Sequence, residues 1–361
     1  MKSAENKTQR EAYADQMIDL LLGLIALPSF SGEEDKTAGL IASVLDQNEV
    51  IYQRDRNNIW ATNRHFDPNK PNILLNSHHD TVRPNKAYTR DPFSAERSEG
   101  KIFGLGSNDA GGALVALIGC FLHFYGREDL KYNLILLASA EEENSGDFGI
   151  RSVIPQLPEI DFAIVGEPTL LDLAIAEKGL LVLDCYAHGT PGHAAHVRTD
   201  NSIYKAMKAI EWFRTYQFEK HSETLADTKM TVTQIDAGNQ HNVVPAICHF
   251  VVDVRVNDLY SNREVLELIK SKVEVEVKER SLRLNSSSID KSHPIVMAGE
   301  AMGRKLYGSP TLSDQSNLSC PSLKLGPGDS TRSHSADEFI YEAEVRDGLN
   351  LYVELIEAIQ K

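Results

Sequence analysis

Apolar side chains recur at helical spacing over residues 9–27, and Ser31-Gly32-Glu33-Glu34 reads as the capped start of a second helix running to Gln47. Beyond them the pattern changes to short runs of Ile, Leu and Val at 72–76, 134–138 and 162–165, alternating with helical stretches such as 112–125. Runs that are apolar on both faces suit the strands of a mostly parallel sheet covered by helices, an α/β fold. In such open sheets, ligands bind outside the carboxyl ends of the strands. Each of the three runs ends in polar residues: Ser77-His78-His79-Asp80, Glu141-Glu142-Glu143 and Gly166-Glu167-Pro168.

From Gly179 the order becomes strand, helix, strand, strand, helix and strand, over 180–187, 202–216, 229–236, 246–257, 263–273 and 275–282. This predicts a separate α+β unit. Asn285-Ser286-Ser287-Ser288 reads as the return linker, after which 293–307 resumes a helix. The expected organisation is therefore a sheet domain begun by 1–178, an inserted unit at 179–288, and completion of the first domain by 289–361. Neither an internal repeat nor a low-complexity segment interrupts it.

With 361 residues, 42% of them hydrophobic, the chain can bury a full core in two domains. Its net charge of -15 argues against nucleic acid, whose binding needs a basic face that releases counterions. Residues 1–10 lack the apolar core of a signal peptide, and the hydrophobic stretch 18–27 is broken by Asp19 and Gly23. A cytoplasmic protein with no membrane segment is expected. Cys120, Cys185, Cys248 and Cys320 form no Cys-x-x-Cys pair and read as buried, reduced thiols.

His78 and Asp80 stand two apart at a strand end, so both side chains leave the same face. That spacing lets the histidine bind a metal while the aspartate accepts its other ring proton and fixes the tautomer. Asp109, between Gly104-Leu105-Gly106 and Gly111-Gly112, can cap the helix that follows or bridge two cations, the glycines letting backbone approach closely. The absence of a Lys-Ser/Thr pair after the glycines argues against a phosphate loop. Glu141-Glu142-Glu143 would be a solvated acidic face in most settings. At a strand terminus inside a crevice, three such carboxylates repel one another and call for a cation. Glu167 and His334, the latter in Gly326-Pro327-Gly328-Asp329-Ser330-Thr331-Arg332-Ser333-His334, would each be unremarkable alone. Together, two histidines and several carboxylates at strand ends form an N/O donor set suited to zinc, with cobalt or manganese as substitutes.

In type and order these motifs resemble the co-catalytic zinc family that includes acetylornithine deacetylase, succinyl-diaminopimelate desuccinylase, aminoacylases and glutamate carboxypeptidases. The resemblance spans nearly the whole chain. It implies that His78 and Glu167 hold one ion and Glu143 and His334 the other, with Asp109 between them, Asp80 behind His78 and Glu142 as general base. Two divalent ions about 3.5–4 Å apart are then expected. The inserted unit corresponds to a lid that makes a homodimer, in which His193 stabilises the oxyanion and Asn242 and Arg255 hold a substrate carboxylate. Arg255 reads equally as a surface ion pair on a strand. Two positions depart from the family pattern: Leu105 and Ala110 replace its arginine and lysine, which bears on the subfamily rather than on hydrolysis. His196 also departs and has no assigned role.

The implied reaction is hydrolysis of an N-acyl amino acid, foremost N-acetyl- or N-succinyl-ornithine or -citrulline in arginine biosynthesis. Succinyl-diaminopimelate desuccinylase, or a dipeptidase or carboxypeptidase of the same family, is the alternative. Arg332, beside the metal loop, either pairs with a succinyl carboxylate or faces solvent. A non-catalytic binding protein on this fold would have lost a ligand or the base, and none is missing.

Overall fold

The computed structural model describes residues 2–196 and 200–360, which divide into two compact units. One comprises Met1–Ile175, Ile289–Tyr307 and Ser313–Lys361, and the other Ala176–Ser288 and Gly308–Leu312.

In the first unit the strand Asn72–His78 runs parallel to Asn133–Ser139 on one side and to Phe162–Val165 on the other. Ser322–Lys324 extends the parallel set beyond Phe162–Val165, while the hairpin Tyr52–Asp55 and Asn58–Thr62 closes the opposite side antiparallel. The result is an α/β fold with a mixed, mostly parallel sheet. Ile73, Leu75, Leu134 and Leu136 point into a core shared with the helices Lys2–Ile25, Asp35–Gln47, Gly112–Phe124 and Glu342–Gln360. The alternate residues Leu74, Ile135 and Leu137 join Trp60, Ile150 and Val153 on the other face. Each such side chain contributes about 1.5–3 kcal/mol by burial. A register slip of one residue would turn all of them over, so burial on both faces fixes which residue emerges at each strand end. The helix Gly112–Phe124 is buried along its whole length.

Three local expectations are corrected. Ser31 does not cap the second helix: Asp35–Gln47 is preceded by Glu34 with no side-chain cap bond, and the Ser31 hydroxyl turns to Asp80 instead. The helix after the inserted segment stops at Ala301, where Gly303 at φ +79° turns the chain into a strand, Leu306–Ser309. Cys120, Cys185 and Cys248 are buried, but Cys320 is partly exposed.

The second unit is a four-stranded antiparallel sheet in the order Lys229–Ala237, Ile247–Val256, Gly179–His188, Glu276–Glu279. Gly179–His188 alternates buried and half-buried positions, sending Leu181, Leu183, Cys185 and Ala187 into a core with the helices Ser202–Thr215 and Asn262–Lys272. Asn201 caps the first helix, and a reciprocal Ser261–Glu264 box caps the second. No helix among the described residues is long and apolar enough to cross a membrane.

Candidate metal centre

His78 ends its strand and is 1% exposed. Its Nδ1 lies 3.0 Å from the Asp80 main-chain oxygen and 3.4 Å from Asp80 Oδ1, so that nitrogen carries the ring proton. Nε2 is left buried without a hydrogen-bond partner, its lone pair facing Asp109 Oδ1 at 3.4 Å and Glu167 Oε1 at 3.9 Å. Three acceptors converging on one point repel unless a positive charge sits among them. Ligand atoms about 2.0–2.1 Å from a tetrahedral ion stand roughly 3.3 Å from one another, close to the His78–Asp109 spacing. Burial pulls the His78 pKa down, but the neighbouring carboxylates of Asp109, Asp80 and Glu142 outweigh it and push it well above the ordinary range. The position favours positive charge, which a divalent ion with the Nε2 lone pair as a ligand would supply.

Asp109 turns its second oxygen the other way. Oδ2 lies 3.5 Å from His334 Nε2, which in turn is 3.1 Å from Glu143 Oε2. Thus His78, Asp109 and Glu167 make one group of potential ligands and Asp109, Glu143 and His334 another, each with its donor atoms within 4.8 Å. Asp109 is the shared member. The hydrogen bond between His334 and Glu143 raises the His334 pKa to about 9, although burial works against this.

The backbone that presents these groups is fixed by buried carboxylates. Asp80 receives Ser31 Oγ at 2.7 Å on Oδ2, and also the main-chain N–H groups of Glu142 on Oδ1 at 3.0 Å and of Glu143 on Oδ2 at 3.1 Å. It therefore holds the Glu142–Glu143 turn as well as backing His78. Glu34 accepts the next N–H back, from Glu141, at 3.2 Å. Glu338 Oε1 accepts the N–H groups of both Asn108 and Asp109, at 2.8 and 3.0 Å, and so ties the segment of His334 to the loop of Asp109. That loop does not cap the following helix: Asp109 has extended φ and ψ, the Asp109–Ala110 peptide is cis, and the cap residue is Gly111. Gly106 sits at φ +76°, and a Cβ on Gly111 would stand 2.4 Å from the Gly106 oxygen, so close approach here requires glycine at both positions.

Carboxylate crowding marks the centre electrostatically. Burial, then the charge of Asp109, lifts the Glu167 pKa to about 8. Glu142 is raised well above the carboxylate range, by burial first and then by Glu167, Asp314 and Glu143 acting against His78. Burial and Asp109 likewise bring Glu338 to about 8, and burial lifts Asp314 to about 6. Glu34, Asp314 and Glu338 do not stand out in the sequence. Glu34 and Glu338 look like ordinary acidic positions near quoted motifs, and Asp314 lies in a polar stretch with no periodic pattern.

The other singled-out residues are not members of these ligand groups. His193 and Asn242 belong to the second unit, which sets them together: Gly192–His193 pairs with Val243–Val244, and the Asn242 oxygen accepts Ala194 N–H at 2.9 Å. His196 packs beside His193 with the rings tilted and their centres 5.5 Å apart. Arg255, on Ile247–Val256, is engaged by both oxygens of Asp253 at 2.9 and 3.1 Å, the strand ion pair. Arg332 neither faces solvent nor offers a free fork: Glu344 takes it at 2.7 and 3.1 Å, and Phe339 and Tyr341 flank it. Leu105 and Ala110 are buried.

Residues 74–358 match the family described as Peptidase family M20/M25/M40. The chain is 26% identical over 278 residues to the succinyl-diaminopimelate desuccinylase of Orientia tsutsugamushi (strain Boryong), covering 72% of this chain and 71% of that one. It is 28% identical over 264 residues to the desuccinylase of Xylella fastidiosa, covering 68% and 69%. An M20 family metallo-carboxypeptidase from Sulfolobus solfataricus shares its fold at TM-score 0.73 and 16% identity, over 94% of this chain and 98% of that one. A dinuclear metal-binding M20 peptidase from Bacillus subtilis does so at TM-score 0.72 and 16% identity, over 97% and 99%. The match over most of the chain settles the family, and this protein is a hydrolase belonging to peptidase family M20/M25/M40.

Proposed function

We propose that the chain hydrolyses the amide bond of an N-acyl amino acid at a pair of divalent ions, zinc in the first instance, held by His78, Asp109, Glu167, Glu143 and His334. One observation carries this: Asp109 directs one carboxylate oxygen to each histidine-and-glutamate group. Divalent ions held there would polarise the scissile carbonyl and bring the pKa of a water from about 15.7 towards 7. Glu142, in the turn beside Glu143, takes the proton of the attacking water and returns it to the departing amine nitrogen, a contribution of roughly 10² to 10⁴ in rate. Burial and the neighbouring carboxylates raise its pKa, which suits a group that must both accept and release a proton. Asp80 keeps the Glu142–Glu143 turn and the His78 ring in place.

For the acyl group, the relatives favour N-succinyl over N-acetyl: the curated relatives at 26–28% identity carry the desuccinylase name. A succinylated diamino acid therefore stands ahead of acetylornithine or acetylcitrulline. With Arg332 tied to Glu344, the succinyl carboxylate is not assigned to it. In the second unit His193 is the oxyanion donor and Asn242 a carboxylate contact, Arg255 joins it only by giving up its pair with Asp253, and the same unit makes the homodimer. Supporting the last point, Tyr204 and Met207 on one helix and Ile235 on the edge strand are large, apolar and more than half exposed. The enzyme acts in the cytoplasm. Release of free amino acid from matched N-succinyl and N-acetyl substrates, with and without added zinc or cobalt, tests the proposal. No release from any of them with either metal rejects it.

A further inference from the structure

Asp314 supplies no atom to either ligand group, yet it is 3% exposed and lies at the carboxyl ends of the strands that build the centre. It opens the short turn Asp314–Asn317. Its Oδ2 accepts Ser139 Oγ–H at 2.6 Å, and the Asn76 amide nitrogen, turned towards it, stands 3.2 Å from the same oxygen. Those two partners sit on neighbouring parallel strands. Ser139 is the register partner of His78, and its carbonyl accepts the His79 N–H at 3.0 Å; the chain then turns into Glu142 and Glu143. Asn76 precedes His78 by one turn of the pleat. One carboxylate thus clasps the strand that ends in His78 to the strand that leads into the base and the second ligand group.

Holding a carboxylate in a dry interior with two neutral donors is costly, and an apolar side chain would fill the same space more cheaply. An apolar side chain could not accept from both strands. We propose that Asp314 is a positioning residue, which through Ser139 and Asn76 sets the spacing between His78 and the Glu142–Glu143 turn. This rests on the reading of the centre as a two-ion amidohydrolase site. Supporting groups behind metal ligands are worth roughly 10- to 100-fold in metal affinity or activity when removed. Asp314 acts one bond further out, through the strand ends, and its effect is expected within that range.

The test compares wild type with Asp314→Ala, Asp314→Asn, Ser139→Ala and the Asp314→Ala/Ser139→Ala double variant. Cobalt uptake is followed by the visible absorption of the bound ion, and kcat and KM are measured on an N-succinyl amino acid. Asp314→Ala should lower both cobalt affinity and kcat by about 10- to 100-fold with KM within about threefold, and the double variant should be no worse than Asp314→Ala alone. Asp314→Asn, which keeps the volume and one acceptor, should fall between wild type and alanine and gives the answer if the alanine variant fails to fold. Cobalt affinity and kcat within about twofold of wild type in the asparagine and alanine variants overturn the proposal, as do losses at Asp314 and Ser139 that simply multiply. A wild-type chain that takes up no cobalt overturns the metal-centre reading itself, which separates the two failures.

Discussion

Replacing Asp80 by asparagine removes one acceptor oxygen from a carboxylate that takes Ser31 Oγ, Glu142 N–H and Glu143 N–H, with His78 Nδ1 at 3.4 Å. The amide can accept on one side only, so one of the two turn N–H groups is left facing an NH₂. An unpaired buried N–H costs about 1–3 kcal/mol, and exchanging charged for neutral acceptors in the remaining bonds costs about 1 kcal/mol more. The variant should therefore lose about 2–4 kcal/mol of stability. His78 is affected less than its neighbour relation to Asp80 suggests, because its Nδ1–H keeps the Asp80 main-chain oxygen at 3.0 Å, which the substitution does not touch. The loss should fall on the Glu142–Glu143 turn: kcat down by about 10- to 100-fold, and weaker binding of the ion at Glu143 and His334 than of the ion at His78. The Asp80 pKa is depressed in the fold: burial raises it, but the His78 hydrogen bond and charge and the Ser31 bond outweigh this. Its contribution is thus fully present above the unfolded value of about 3.9 and lost only as pH falls further, so the stability gap should be constant from about pH 5 to 8. Calorimetric metal titration, chemical denaturation and steady-state kinetics measure all three quantities. Stability within about 0.5 kcal/mol of wild type, or selective loss of the ion at His78, refutes the reasoning.

Further outcomes follow from the same geometry. Glu142→Gln should bind metal as wild type does and lose about 10²- to 10⁴-fold in kcat; near-normal turnover removes Glu142 from the proton transfer. In the metal-free protein the Glu167 pKa is raised to about 8 by burial and Asp109, and the His334 pKa to about 9 by Glu143, so both are largely protonated at neutral pH. Metal uptake should release protons, and affinity should climb from pH 7 to 9, measurable by calorimetry in buffers of different ionisation enthalpy; a flat affinity contradicts the ligand assignment. Arg332→Ala breaks a half-buried bidentate pair with Glu344 and should cost about 1–3 kcal/mol in unfolding experiments, leaving the ratio of kcat/KM for succinyl and acetyl substrates unchanged. A shift of that ratio beyond about tenfold would return Arg332 to substrate recognition.

The strands were legible because burial on both faces leaves a continuous apolar run, and the polar residues that end each run are where a parallel sheet exposes its carboxyl ends. That pattern puts His78, Glu142, Glu143 and Glu167 at or just beyond strand ends, while their separate roles come from the family resemblance. Asp109 and His334 are less legible, since each sits on a loop whose position depends on a partner more than 200 residues away in sequence, such as Glu338 for Asp109. Glu34 and Asp314 escape for a related reason: a buried carboxylate and a solvated one look alike in sequence, and what separates them is the N–H or hydroxyl group that a distant segment brings to them. Arg332 shows the converse. Its place in the metal loop suggested a substrate contact, but Glu344, in the first turn of the final helix, already satisfies it. Gly303 explains the shortened helix after Pro294, because its left-handed φ turns the chain out of the helix.

The central claim is that Asp109 joins two ligand groups around a pair of ions. Elemental analysis of wild type and Asp109→Ala, each equilibrated with zinc, desalted and checked for folding by circular dichroism, tests it most directly. The account predicts close to two zinc ions per wild-type chain and a loss at both positions in the variant. A folded wild-type chain that retains only traces of metal, or an Asp109→Ala protein that keeps the full complement, would contradict it.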